Sequence, residues 1–233
     1  MIQFLVAAML QAVTPEAEIQ GALMAAHRDF VRQSNDPFQE STVPPSIAGT
    51  LFTVRFPFRE GQTAGAPLGG SGLYSYRDGV LILSLYTQGG YTAPRSTRRT
   101  LIRIATRERA GRPYVGANAF GAHARVEVNY LQEDSLASIG QLPASEADLT
   151  FETFLRPAEA RHLALNALVV VEGFVTYIDN QRLTECARIS SPARLDSPTD
   201  IRGTQCWLGA RITRIAFIDR RSGNVLREWR QRP

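Results

Sequence analysis

The run LYSYRDGVLILSLY, residues 73–86, constrains this chain more than any other stretch, because Asp78-Gly79 divides it into two strand-forming arms. Asp-Gly favours the two-residue turn whose twist matches paired strands, and glycine takes the required positive φ at no steric cost. The dipeptide therefore predicts a hairpin with Arg77 beside Val80, Tyr76 opposite Leu81 and Tyr74 opposite Leu83. Val80–Leu85 is apolar on both faces except at Ser84, which predicts a central strand in a covered sheet. The leucines opposite Tyr74 and Tyr76 make these tyrosines core packing before a sugar-stacking platform.

The same period-two logic recurs along the chain. In TLFTVRFPF (50–58), Phe52, Val54, Phe56 and Phe58 alternate with Thr53, Arg55 and Pro57, and the proline marks an edge or a strand end. TLIRIATRE (100–108), ARVEVNYL (124–131) and LTFETFL (149–155) read as further strands. ALVVVEGFVTYID and RLTECARIS flank Asp179-Asn180 and predict a second hairpin; QCWLGARITRIAFID and NVLREWR predict a third around RRSGN. RPAEARHLAL reads as one short helical turn begun by Pro157.

One helix stands out. In TPEAEIQGALMAAHRDFVRQS (14–34), Thr14 suits the cap, Pro15 the first helical position, and Glu16 and Glu18 the positive end of the dipole. Ile19, Leu23, Ala26 and Phe30 form one apolar stripe. His27 lies beside that stripe and reads as edge packing before a ligand. The expected fold class is α+β and β-rich, with antiparallel sheets of several hairpins and the N-terminal helix packed against them.

At 233 residues, 44% hydrophobic and 21% charged, the chain is long and apolar enough for a real core. MIQFLVAAMLQA resembles the apolar region and small-residue cleavage site of a secretory signal peptide. Residues 1–12 are therefore set apart from a β-rich domain at 13–233, with one candidate internal boundary in the linker-like EDSLASIGQLPASEA, 133–147. The apolar run is too short to span a membrane, so no transmembrane segment is expected in the mature chain. The only cysteines, Cys186 and Cys206, flank a stretch that reads as a long Pro-containing surface loop. In an exported protein such a pair predicts a structural disulfide. The expected location is periplasmic or secreted.

Little in the sequence resembles a catalytic site. All 26 basic side chains are arginine, so Schiff-base, phosphate-loop and kinase lysines cannot exist here. GQTAGAPLGGSG lacks the Gly-Lys-Ser/Thr ending of a phosphate loop. His27, His123 and His162 have no partner at metal-ligand spacing, so neither metal nor cofactor is expected. Asp196 and Asp200 read as loop aspartates, and Ser71 lacks the strand-to-helix context of a nucleophile elbow. In YVGANAFGAHARVEV, small residues surround Asn118 and Phe120 and would let a ligand approach closely. Asn118 and His123 are the candidate ligand contacts.

RSTRRTLIRIATRERAGR, 95–112, carries seven arginines against one acid, Glu108. Strict alternation puts Arg103 and Arg107 on one face of a strand, with Glu127 near enough to pair with one of them. That predicts a solvated strand face, and nucleic acid is not expected as a partner. The leading functional expectation is a non-catalytic binding or scaffolding domain of the bacterial cell envelope, whose partner is an envelope component or a small ligand. A hydrolase acting on an envelope polymer and an arginine-mediated binder of anionic polymer are the alternatives.

Overall fold

A computed structural model describes residues 13–14, 16–35, 41–61, 72–89, 100–117, 121, 123–139, 142, 149–178, 182–194 and 196–231. In chain order the elements begin with β1 (Val13–Thr14), α1 (Glu16–Asn35), a 3-10 turn at Pro45–Ile47, β2 (Leu51–Pro57), β3 (Arg59–Glu60), β4 (Gly72–Arg77) and β5 (Val80–Leu85). There follow β6 (Gln88–Gly89), β7 (Thr100–Ala110), β8 (Tyr114–Ala117), β9 (His123–Ser138), β10 (Thr150–Phe154) and α2 (Pro157–Asn166). The chain continues through β11 (Ala167–Val175), β12 (Thr184–Ser191), β13 (Thr199–Asp219) and β14 (Val225–Arg230).

The hairpin at Asp78-Gly79 forms as its turn chemistry requires. Asp78 has φ 53° and Gly79 φ 82°, and the register pairs Arg77 with Val80, Tyr76 with Leu81 and Tyr74 with Leu83. β5 lies inside a four-stranded sheet ordered β10-β5-β4-β3, which is why Leu81 and Leu83 are fully buried. The third hairpin, β13–β14, also forms.

The larger sheet is mixed and not purely antiparallel. β13 runs parallel to β9 from Thr199 beside Glu127 to Ala210 beside Ser138, and β1–β2 is parallel too; the four-stranded sheet is also mixed, through its parallel pair β3–β4. Parallel neighbours come from distant parts of a chain, so no local turn announces them. The expected hairpin between residues 167–179 and 182–190 does not form. β11 is apolar on both faces and takes β2 on one edge and β13 on the other, so β12 pairs with β13 instead.

That pairing shortens the expected long loop between the cysteines, because β12 runs to Ser191 and β13 begins at Thr199. Asp200 consequently lies in β13 and is 5% exposed, where a loop aspartate was expected. Cys186 sits directly across from Cys206, and the two form a disulfide with Cα atoms 4.1 Å apart. The linker-like stretch is also partly strand. β9 continues through Ser138, and Glu133, Asp134 and Ser135 are 6%, 1% and 0% exposed. α2 is ten residues long and not a single turn. Pro157 opens it, and Glu159 accepts from both the Arg156 backbone N–H and its guanidinium.

β13 has neighbours on both edges along its length. Its first half lies between β12 and β9, its second between β11 and β14. α1 packs on β13, β12 and β2, burying Ile19, Leu23 and Ala26 in one cluster with Phe52, Leu136 and Leu208. The small sheet adds Leu81 and Leu83 to that cluster, beside Val169 and Phe217. Phe58 meets Phe217 edge to face, with ring centroids 5.0 Å apart, an arrangement favoured by the ring quadrupoles. Each such buried large side chain stabilises the fold by roughly 1.5–3 kcal/mol relative to exposure.

Candidate functional site

α1 places His27 one residue past Ala26, against the sheet rather than at the edge of the stripe. His27 is 4% exposed. Its Nε2 lies 2.9 Å from Asp134 Oδ1 on β9, and its Nδ1 lies 2.7 Å from Thr204 Oγ1 on β13. A carboxylate only accepts, so Nε2 carries the proton toward Asp134; in the neutral ring Nδ1 then accepts from the Thr204 hydroxyl. The other oxygen of Asp134 accepts from Arg107 Nη2 on β7 at 2.5 Å. A buried carboxylate is costly unless both oxygens find donors, and here imidazole and guanidinium supply them. The result is a chain Thr204–His27–Asp134–Arg107 that ties α1 to three strands and ends at the surface. Arg107 retains 41% side-chain exposure.

A bulge puts Arg107 there. The β7–β9 register shifts between Arg103 and Ala105, so Arg103 pairs with Ser135 but Ala105 pairs with Asp134. Ile104 is the extra residue, and such an insertion exchanges the faces of everything that follows. Arg103 and Arg107 therefore do not share a face, as strict alternation had predicted. Arg107 and Arg109 turn to the α1 side, where the Arg109 guanidinium lies 5.3 Å from the centre of the Tyr130 ring. Arg103 turns to the opposite face and is not solvated: it is 9% exposed and 3.1 Å from Glu133. Burial there pushes the Glu133 carboxyl above its ordinary range, and Arg103 offsets part of the rise. Glu127 pairs with Arg125 of its own strand, not with an arginine of β7.

Two grooves flank the C-terminal half of α1, with Val31 on the ridge between them. The first, of about 380 Å³, is lined by Met24, His27, Arg28, Arg32, Arg107 and Gln132. The second, of about 400 Å³, brings Arg188 and Arg202 beside Phe30, Ser34 and Thr204. Arg202 is paired with Asp200 at 2.6 Å, which holds the guanidinium above its ordinary pKa through that hydrogen bond and the charge beside it. Among the described residues, no carboxylate pairs with Arg28, Arg32 or Arg188. A third groove, of about 350 Å³, lies between α1, Tyr177 and residues 182–186. Asp29 on its wall is held by the Thr42 backbone N–H at 2.6 Å and by the hydroxyls of Ser41 and Thr42.

The residues read from the sequence as ligand contacts lie elsewhere. His123 is exposed at the start of β9 and pairs in register with Ala117, eleven residues and about 36 Å along the strand from Asp134. Asn118 lies outside the described residues. Among the described residues no group of three or more His, Cys, Asp or Glu side chains is placed to hold a metal ion, and no helix is long and apolar enough to cross a membrane. The signal in the sequence for the α1 site was weak: a histidine against an apolar helical stripe, and an acid 107 residues away in a run that reads as linker.

Fold and site together define a class in structural terms, a mixed sheet carrying one long helix with arginine-lined grooves on both its flanks. Comparison with protein-family models, curated proteins and solved structures finds no match.

Proposed function

We propose that this chain is a non-catalytic binding module of the cell envelope, that it works outside the cytoplasm, and that its partner is an anionic polymer. One observation carries the reading: Arg28 and Arg32 from α1, Arg107 from β7, Arg188 from β12 and Arg202 from β13 converge on the two grooves beside one helix. Among the described residues, Asp134 pairs with Arg107 and Asp200 with Arg202 there, and no carboxylate pairs with Arg28, Arg32 or Arg188, so the described part of the face carries an excess of positive charge. Guanidinium groups present forked donors that match anionic oxygens, and a positively charged groove raises the rate at which anions arrive. The Cys186–Cys206 disulfide supports the location, since oxidising compartments sustain such bonds. Nucleic acid is the weaker partner because the exposed Tyr130 ring is already engaged by Arg109, and single-stranded binding draws on free aromatic faces.

The test is retention of the folded protein on an immobilised anionic polysaccharide, on polyglutamate and on DNA, across a salt series. Anionic polysaccharide should bind saturably and weaken as salt rises. Arg28→Ala with Arg188→Ala should abolish retention, whereas Arg55→Ala with Arg220→Ala, an equal loss of charge elsewhere, should not. Equal losses in the two double variants, or tighter binding to DNA, would overturn the reading.

A second reading, a hydrolase acting on an envelope polymer, has one observation in its favour. Thr204, His27 and Asp134 form a hydroxyl–imidazole–carboxylate chain, with Thr204 on a groove wall. Nucleophile-and-base pairs take this form. Against it, Asp134 also holds Arg107, and β13 around Thr204 lies between β12 and β9. The ladders on both edges use the backbone N–H groups that an oxyanion would need.

A further inference from the structure

The groove between α1 and the β7–β9 pair has a more specific chemistry than the face around it. Arg28 and Arg32 stand four residues apart on α1, one turn or about 6 Å along the axis, and both line this groove. Arg107 enters from β7 across the groove, with the Gln132 amide beside it in register on β9. Donors thus reach the same space from the helix and from the sheet. Arg107 does not swing freely: its Nη2 is held on Asp134, Asp134 on His27, and His27 on Thr204. A guanidinium fixed by a buried carboxylate keeps its remaining N–H groups directed outward at little further entropic cost. The bulge at Ile104 places it on this face, since without that extra residue Arg107 would lie on the other side of the sheet.

The geometry points to a discrete phosphate site formed by Arg28, Arg32, Arg107 and Gln132. This deepens the anionic-polymer reading and rests on it, naming the charged group that the polymer carries. A carboxylate presents two oxygens in one plane, and a single forked guanidinium satisfies it. A phosphate is tetrahedral and presents oxygens in several directions, which suits donors arriving from two elements. Met24 and Val31, which are 48% and 56% exposed, flank the groove. They give the carbon skeleton of a phosphate ester an apolar surface to lie on. Asp134 does not repel the anion strongly, because it is 1% exposed and both its oxygens are engaged.

Isothermal titration of the intact protein in a low-salt, phosphate-free buffer tests the assignment, with inorganic phosphate, phenyl phosphate and oxalate as probes. Inorganic phosphate should bind one to one and more tightly than oxalate, which carries similar charge on planar groups. Phenyl phosphate should bind at least as tightly as inorganic phosphate. Arg28→Ala and Arg32→Ala should each weaken phosphate about tenfold, the loss expected for one hydrogen bond to a charged group. Arg55→Ala, exposed on β2 and outside both grooves, should leave it unchanged. Circular dichroism confirms folding, and both arginines are exposed and unpaired among the described residues, so the variants should fold. Absence of saturable phosphate binding, equal affinity for oxalate, or equal loss in Arg55→Ala would overturn the site. Polymer retention measured alongside separates the two ideas. Retention without phosphate binding removes only this site, and phosphate binding without retention removes the polymer reading.

Discussion

The two halves of β13 do different work, although they belong to one strand. In the second half, Ile212, Ile215 and Phe217 are each at most 2% exposed and join the main cluster with Val169, Val171, Leu81 and Leu83. At the start of the first half, on the side facing α1, Asp200, Arg202 and Thr204 stand in place of such residues before Cys206 and Leu208 rejoin the cluster, and each of the three is bonded to another polar side chain. A strand whose inner face is apolar contributes burial, and its side chains are interchangeable only with others of similar volume. A strand whose inner face is polar contributes geometry, because each group must be matched by a partner. The helix α1 crosses this divide. Its N-terminal half buries Ile19 and Leu23 in the apolar cluster, and its C-terminal half sets His27, Arg28 and Arg32 over the polar one.

If the division is real, the largest effect belongs to the apolar half. Phe217→Ala should destabilise the protein by about 3–5 kcal/mol, the range for an aromatic side chain removed from a packed core, read as the shift in a urea unfolding curve. Arg188→Ala, on β12 beside the polar stretch, should leave that curve within about 0.5 kcal/mol, as exposed substitutions do. Equal losses would mean that the two halves are one cooperative core with no division of labour.

The disulfide sits where the polar stretch of β13 meets the apolar cluster, and it gives the next effect. With a sequence separation of 20 residues, Cys186→Ser paired with Cys206→Ser should cost roughly 3 kcal/mol by the chain-entropy account. Thermal unfolding with and without reductant should then coincide for the double variant and differ for the parent chain. An unchanged parent melting temperature under full reduction would show that β12 and β13 hold without the bond.

How much of this was legible in the sequence depends on the range of the signal. The hairpin at Asp78-Gly79 and the helix Glu16–Asn35 follow from local chemistry, and both form where the sequence places them. The pairing of the two cysteines follows from their isolation. The parallel pairing of β9 with β13 is set by which strands compete for which edges, and no residue near either one marks it. The bulge at Ile104 has no glycine or proline to announce it, so the faces of Arg103 and Arg107 were misread. The candidate site was the least legible part. Glu133-Asp134-Ser135 is polar enough to read as linker, yet it is strand, because Asp134 meets His27 on one face and Glu133 meets Arg103 on the other. Buried polar pairs of this kind defeat hydrophobic periodicity, since each member is buried only because its distant partner is.

His27 is where the polar half can be broken most directly. His27→Ala leaves one oxygen of Asp134 without its donor in a buried position, which should cost about 1–3 kcal/mol. Thr204→Val keeps nearly the same shape and removes only the hydroxyl, so its cost should be smaller, about 1 kcal/mol. Chemical denaturation of both variants checks the order. A Thr204→Val cost equal to that of His27→Ala would place the weight of the chain on the hydroxyl and not on the carboxylate.

The smallest effect sharpens the comparison between the two faces of β9. Asp134 on the α1 face is matched by two donors, whereas Glu133 on the other face is raised above its ordinary value of 4.5 by burial, with Arg103 pulling the other way. A raised carboxyl binds its proton more tightly in the folded chain than in the unfolded one. Its contribution to stability is therefore fully present below the unfolded value and is lost as pH rises through the folded value. Glu159, Asp219 and Glu228 behave oppositely: hydrogen bonds from Arg156, from Ser222, and from Arg230 with Arg214, respectively, lower them, so their contribution is lost as pH falls through their depressed values. Those three are shared by the parent chain and Glu133→Gln, so the difference between the two unfolding free energies isolates Glu133. Measured by urea denaturation from about pH 4 to pH 7, the stability of the parent relative to Glu133→Gln should fall as pH rises. A difference that rises instead would mean that the Arg103 pair outweighs desolvation, and that both faces of β9 hold their carboxylates as matched ion pairs.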